Sequence, residues 1–293
     1  MSRFNFIAVL NYFLILQIRL SFSYDNDTCT VCKCDCNCTV KLAVEDEGMS
    51  EDQIVTTEAN IEEQIIANRA TNPSSCMEAA ANSLNSGVYK IKLEKMNITG
   101  LEVFCEENVD SGGWLVIQRR QSNSVDFNRN WQDYKKGFGD LKGDYWFGLE
   151  QLHALTSSCE QELYIQLQID SGETYFVKYS EFVIADESED YALKNIGKYS
   201  GNAGNGLRTH LSMKFSTYDR DNDIYKDNCA MIFKGGWWFR SCYRSNLNGL
   251  YGDDKFGLKW VDIERRELIV FAQMMIRPTQ NCWRQLMLSN LNR

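Results

Sequence analysis

Residues 219–229 read DRDNDIYKDNC, with carboxylates at Asp219, Asp221, Asp223 and Asp227 on alternate positions, Tyr225 filling the gap and Cys229 closing the run. Oxygen donors at this spacing suit a hard cation, because calcium is held by carboxylates, backbone carbonyls and water. The EF-hand is one template, with ligands at loop positions 1, 3 and 5, Gly at 6 and a bidentate Glu at 12. Counted from Asp219 the first three fit, but Ile224 stands where the sharp turn needs Gly and Ala230 where the closing carboxylate belongs. A solvated acidic turn is the bland alternative for a lone D-x-D-x-D. The surrounding sequence has to decide.

The elements that could position such a loop belong to a chain of 293 residues with a formal net charge of −9. Its length suits one large domain with an appendage, or two modest domains. The acidic balance argues against nucleic acid, whose phosphates need clustered Lys and Arg, and no polyanion partner is expected. The opening MSRFNFIAVLNYFLILQIRLSFS has a basic start at Arg3, an apolar run from Phe6 to Leu16 and small residues at Ser21 and Ser23. This is the layout of a secretory signal peptide over residues 1–23, and the run is too short to span a bilayer. The protein is therefore expected to be secreted and extracellular.

Eleven cysteines in an exported protein imply disulfides, and the odd count leaves at least one for an intermolecular bond or a free thiol. Five crowd into CTVCKCDCNC, at Cys29, Cys32, Cys34, Cys36 and Cys38. Cysteines separated by one residue point to opposite sides of an extended chain and pair poorly with each other, which favours inter-chain bonds over a thiolate metal tract. Residues 24–71 are thus read as a Cys-rich oligomerisation segment followed by a short helical linker. Ile54, Ile61 and Ile65 share one helical face of that linker, as in a short coiled coil. Sequons stand at Asn26, Asn37 and Asn97.

From residue 72 to 293 the composition turns aromatic and Gly-rich. WLVIQRR (114–120) and ELYIQLQID (162–170) read as strands, and SCMEAAANSL (75–84) reads as a helix. Long Gly/Asn/Asp stretches such as GNAGNG (201–206) separate the later elements. The predicted class is α+β, with a central antiparallel sheet and a loop-rich region towards the C-terminus. No nucleophile elbow, phosphate loop or His-based zinc spacing occurs, and the two histidines, His153 and His210, read as structural, so an enzyme is not expected.

Several ordered strings carry a resemblance: SGGWLVIQRR (111–120), WQDYKKGFG (131–139), GDYWFGLEQLHALT (143–156), GNAGNGLRTHLSMKFSTYDRDND (201–223), NCAMIFKGGWWFRSCYRSNLNGLY (228–251) and MMIRP (274–278). From Cys76 to about Pro278 the sequence resembles the fibrinogen C-terminal domain. The resemblance implies two disulfides, Cys76 with Cys105 and Cys229 with Cys242, while the pairing of Cys159 and Cys282 stays open. It also implies one calcium ion in the acidic loop, held by the carboxylates of Asp221 and Asp223 and the backbone carbonyls of Tyr225 and Asp227. In lectin-like members a pocket beside this loop captures acetyl groups, with a cis peptide that here would be Ser241-Cys242. Phe233, Arg240, Ser241, Cys242 and Tyr243 match its positions.

Tyr243 stands where many lectin members have His, Phe233 where Tyr is common, and the stretch 252–259 is shorter than in acetyl-binding relatives. The Trp237-Trp238 pair reads either as a sugar platform or as core. The resemblance implies calcium-dependent, lectin-like binding of a glycan or acetylated ligand by a disulfide-linked homo-oligomer. The alternative is an angiopoietin-like ligand of a cell-surface receptor, or of a matrix or clotting protein.

Overall fold

The structure, a computed structural model, describes residues 73–81, 83–260, 263 and 267–283. The expected signal peptide, the cysteine tract 29–38, the linker isoleucines and the sequons at Asn26 and Asn37 lie outside the described residues. Among the described residues, no helix is long and apolar enough to cross a membrane.

The described part opens with α1 (Cys76–Ala79), far shorter than the helix predicted over 75–84. The reason is burial. Cys76 and Ala80 are covered, but the residues beyond Ala80 meet no core, and Leu84 sits in solvent at a φ of 53°. A short segment without an apolar face to bury has little to hold it helical in water. After it come β1 (Gly87–Leu93), a 3₁₀ turn (Glu94–Met96) and β2 (Ile98–Glu106), an antiparallel hairpin. Asn97 lies exposed in the left-handed region at its turn.

The sheet is completed by β3 (Trp114–Arg120), β4 (Phe138–Gly139), β5 (Tyr145–Trp146), β6 (Gln161–Ile169), β7 (Thr174–Tyr179), β10 (Tyr199–Gly201) and β11 (Ile269–Pro278). The strand order is β1-β2-β3-β11-β6-β7-β10, with β5 and then β4 added at β3. Every pairing is antiparallel. Strand β11 thus lies centrally although it comes last, between β3 and β6, and brings both ends of the domain into one sheet. A separate pair, β8 (Val183–Ile184) and β9 (Leu193–Asn195), lies off this sheet.

Strand β6 alternates covered and half-covered positions along its whole length, as its sequence predicts. Strand β3 instead is buried at every residue. Its pairing explains this: Met275 faces Val116 and Met274 faces Gln118, which leaves Ile117 as a bulge. A bulge resets the side-chain alternation. Trp114 and Val116 therefore point to one face, where they pack with Met275. Leu115 and Ile117 join the main core on the other face. Beyond the bulge, Gln118 and Arg120 also point to the core side and reach the loop-rich region. Gln118 Nε2 donates to the Leu247 carbonyl at 2.8 Å and Arg120 Nη1 to the Gly249 carbonyl at 2.7 Å.

The main core lies between this sheet, the helices α2 (Trp131–Lys136) and α3 (Leu149–Ser158), and the loops of residues 203–260. Three disulfides close it: Cys76–Cys105, Cys229–Cys242 and Cys159–Cys282. The last resolves the pairing left open by the sequence, tying the segment after β11 to the end of α3.

Candidate functional site

The acidic run follows Ser216 and Thr217, which are pinned by backbone bonds to Trp237 and Arg220. Its first aspartate is structural. Asp219 Oδ1 accepts the Trp131 amide at 2.9 Å and the Thr217 hydroxyl at 2.7 Å, so it anchors the first turn of α2. Arg220 lies over the Trp131 ring, 4.0 Å from its centroid, and bonds to Asp190. Asp219 and Arg220 together brace the base of the loop, and Asp219 is committed away from any ion.

Asp221 and Asp223 are brought side by side. Asp221 Oδ1 accepts the Asp223 amide at 3.3 Å. The Asp223 carboxylate accepts the amides of Tyr225 at 2.8 Å and of Cys229 at 2.9 Å. Partial burial, with the negative charge of Asp221 beside it, holds the Asp223 carboxyl above the usual carboxylate range. The Asp227 side chain points instead towards Lys226, 3.7 Å away, which leaves its backbone carbonyl as the candidate donor. Among the described residues, no group of three or more His, Cys, Asp or Glu side chains is placed to hold a metal. The donor set is therefore two neighbouring carboxylates plus carbonyls and water. This all-oxygen set fits a hard divalent cation, which would relieve the repulsion between the two carboxylates.

The loop is tied to the turn opposite it. Cys229 begins the short helix α4 (Cys229–Phe233), capped by Asn228, whose Oδ1 accepts the Met231 amide. The Cys229–Cys242 bond crosses to that turn. The Ile224 amide donates to the Arg240 carbonyl at 3.0 Å, and the Arg240 amide to the Cys242 carbonyl at 2.7 Å. The Ser241–Cys242 peptide is cis. His210, fully buried, braces the far side of the same turn. Its Nδ1 donates to the Trp238 carbonyl at 2.7 Å, and its Nε2 accepts the amides of Arg244 at 3.3 Å and Ser245 at 3.2 Å. Burial lowers its pKa from the ordinary 6.5 to about 4, so the neutral ring is the one that fits.

The candidate pocket residues meet one another. The rings of Phe233 and Tyr243 are edge to face with centroids 4.7 Å apart, in direct contact, so no methyl group fits between them. Phe239 lies behind both, and Phe256, from the short stretch 252–259, packs 6.2 Å from Phe233. Trp237 and Trp238 are fully buried, and the Trp238 indole donates to the Tyr191 carbonyl. That pair is core, not a platform for a sugar. His153, the other histidine, directs Nδ1 at the Ile184 carbonyl at 3.0 Å, as a structural residue would.

Sequence reasoning missed the apolar groups that stand in solvent around the acidic loop: Ile224 at 63% exposure, Met231 at 56%, and Tyr218 and Tyr225 at nearly two-fifths. Met231 lies on α4, Ile224 and Tyr225 in the loop itself and Tyr218 one residue before it. The signal was available, since an Ile-Tyr pair inside a run of aspartates has no reason to be solvated.

Residues 72–279 match the family described as the fibrinogen beta and gamma chains, C-terminal globular domain. The chain is 41% identical to chicken (Gallus gallus) tenascin-R over 211 residues, 71% of this chain and 15% of that protein. It is 45% identical to mouse (Mus musculus) angiopoietin-related protein 6 over 177 residues, 60% of this chain and 38% of that protein. The chain thus spans well under half the length of these curated relatives. Among solved structures, the fibrinogen-like globe domain of human ANGPTL6 superposes with a TM-score of 0.66 at 38% identity, covering 72% of this chain and 99% of that one.

Proposed function

The protein belongs to the family of the C-terminal globular domain of the fibrinogen beta and gamma chains, and from that premise we propose that it is a secreted, extracellular recognition protein whose acidic-loop face binds a protein partner. The observation that carries this reading is the contrast between the two halves of the face. The position of an acetyl pocket is filled by Phe233 against Tyr243, whereas Ile224, Met231, Tyr218 and Tyr225 present apolar surface outward. A buried acetyl group needs a walled cavity. A protein partner needs protruding anchors rimmed by polar groups. The likeness to tenascin-R and angiopoietin-related protein 6 supports the same choice over a lectin.

The role of calcium in this reading is a brace. Asp221 and Asp223, with the carbonyls of Tyr225 and Asp227, hold the ion, and the loop then keeps Ile224 and Tyr225 facing outward.

The cysteines support a covalent assembly. Six of the eleven pair within the domain, and 11 − 6 leaves five, all in the tract 29–38. Five sulfurs cannot all pair inside one molecule, so at least one per molecule is left for an inter-chain bond or a free thiol, and we adopt the inter-chain bond. Cys282, already bonded to Cys159, is not that link.

The test is binding of the labelled full-length protein to cell surfaces, beside a glycan array read in calcium and in chelator. The expected result is binding that protease treatment of the cells abolishes and that Ile224→Asp with Met231→Asp reduces at least tenfold. Chelator-sensitive capture of acetylated glycans, unchanged in that double variant, would overturn the reading in favour of a lectin.

A further inference from the structure

Of the three sequons, Asn97-Ile98-Thr99 is the one that falls among the described residues. It sits where the 3₁₀ turn (Glu94–Met96) passes into β2 (Ile98–Glu106). Met96 and Ile98 pack against the main core. Their neighbours turn the other way, so Asn97 and Thr99 are both exposed. Asn97 takes the left-handed conformation, with φ 52° and ψ 35°, which Asn tolerates better than most residues. The core contacts on either side of it thus hold the asparagine in solvent.

The polar side chains nearby have partners. Lys92 pairs with Glu94 at 3.0 Å, Lys95 Nζ donates to the Ser157 hydroxyl at 2.8 Å, and Ser86 Oγ donates to Glu106 at 2.6 Å. The side-chain amide of Asn97 and the hydroxyl of Thr99 bond to no described residue. Water can serve an exposed turn asparagine. What sets this one apart is that the hydroxyl two residues on is equally free, and the glycosylation signal requires both groups.

We infer that Asn97 carries an N-linked oligosaccharide. The inference rests on the reading of the protein as secreted, because the sugar donor, a lipid-linked oligosaccharide pyrophosphate, is met by exported chains. In the transfer the Asn97 side-chain nitrogen forms a bond to the anomeric carbon of the first sugar. The bond from that carbon to the pyrophosphate oxygen breaks, the lipid pyrophosphate leaves with the electron pair, and the proton displaced from nitrogen passes to solvent. The fold accepts the added bulk: the backbone bond from the Asn97 amide to the Glu94 carbonyl at 2.9 Å closes the turn without the side chain. The site belongs to a different element from Ile224 and Met231, so its occupancy and the binding of a protein partner are separate results.

The test uses the full-length protein with its own N-terminal segment, produced by cultured animal cells and purified from the medium. Peptide N-glycosidase in heavy-oxygen water converts a modified asparagine into a labelled aspartate, which mass spectrometry reads at position 97. A background of Asn26→Gln with Asn37→Gln removes the other two sequons, so a glycosidase-induced gel shift that remains there comes from Asn97. The expected result is label at position 97, and in that background a shift that Thr99→Ala abolishes and Thr99→Ser keeps. Thr99→Ala leaves the turn residue itself in place, and a thermal melt confirms that it folds. An unlabelled Asn97 in protein recovered from the medium, or a shift that survives Thr99→Ala, would overturn the proposal while leaving export intact. Protein retained unmodified in the cytosol would overturn the export reading and the proposal with it.

Discussion

Lowering the pH should destabilise the domain through His210, and the amount follows from its surroundings. The ring accepts two amide N–H groups at Nε2, so a proton added there would face two donors in a buried site. Folding holds its pKa at about 4 against 6.5 for the free side chain. Between those values the unfolded state binds a proton that the folded state refuses, so stability rises with pH across the window. The contribution is fully retained above pH 6.5 and is lost as the pH falls towards 4. At about 1.4 kcal/mol per pH unit, the loss is roughly 1 kcal/mol at pH 5.5 and approaches about 3 kcal/mol at pH 4.

Urea denaturation followed by tryptophan fluorescence suits the measurement, because Trp237 and Trp238 lie beside the ring. Wild type and His210→Gln are compared at steps from pH 7.5 to 4.5. Carboxylates titrating in the same range act on both proteins, so the difference isolates the imidazole. The variant should be the weaker at pH 7.5, having lost the bond to the Trp238 carbonyl, and its deficit should shrink on acidification. Parallel stability curves for the two proteins would refute the reasoning.

Opening the third disulfide by Cys159→Ser with Cys282→Ser frees a closed loop spanning a sequence separation of 123 residues. In the chain-entropy treatment this should cost about 5 kcal/mol, against about 3 for Cys229→Ser with Cys242→Ser, so the first double variant should show the lower denaturant midpoint. Calorimetry should separate the aspartates of the acidic run. Asp221→Ala and Asp223→Ala should abolish calcium binding, while Asp219→Ala should keep it and instead lose about 1 kcal/mol of stability with its bond to the Trp131 amide. Equal calcium binding by all three variants would remove the ion from the loop.

What was legible in the sequence was local and ordered. The strings from SGGW to MMIRP carry the family, and β3 and β6 appear within a residue of the stretches read as strands. The acidic run was visible from its spacing, but its reading as a calcium loop rested on the resemblance of the sequence around it. What escaped depends on contacts between distant segments. Nothing in WLVIQRR announces the bulge at Ile117, because it exists only in the pairing with β11, some 150 residues later. The helix expected over 75–84 failed for the same reason, since propensity cannot tell that Leu84 will find no core. Asp219 looked like its neighbours until Trp131 appeared beside it. Phe233 and Tyr243 could be placed at a pocket by resemblance, but that their rings would fill it is a matter of packing.

In the turn facing the acidic loop, buried Phe239 is followed by exposed Arg240, so packing and surface charge fall to adjacent residues. Truncating a ring such as Phe239 removes core packing and should cost about 3–5 kcal/mol, whereas exchanging Lys234, Arg240, Arg244 or Lys255 alters exposed side chains and should stay within about 0.5 kcal/mol. The surface can therefore be rewritten one charge at a time over an unchanged foundation. For selection, or for an engineer building a library, surface charge and fold are separable variables at these four positions.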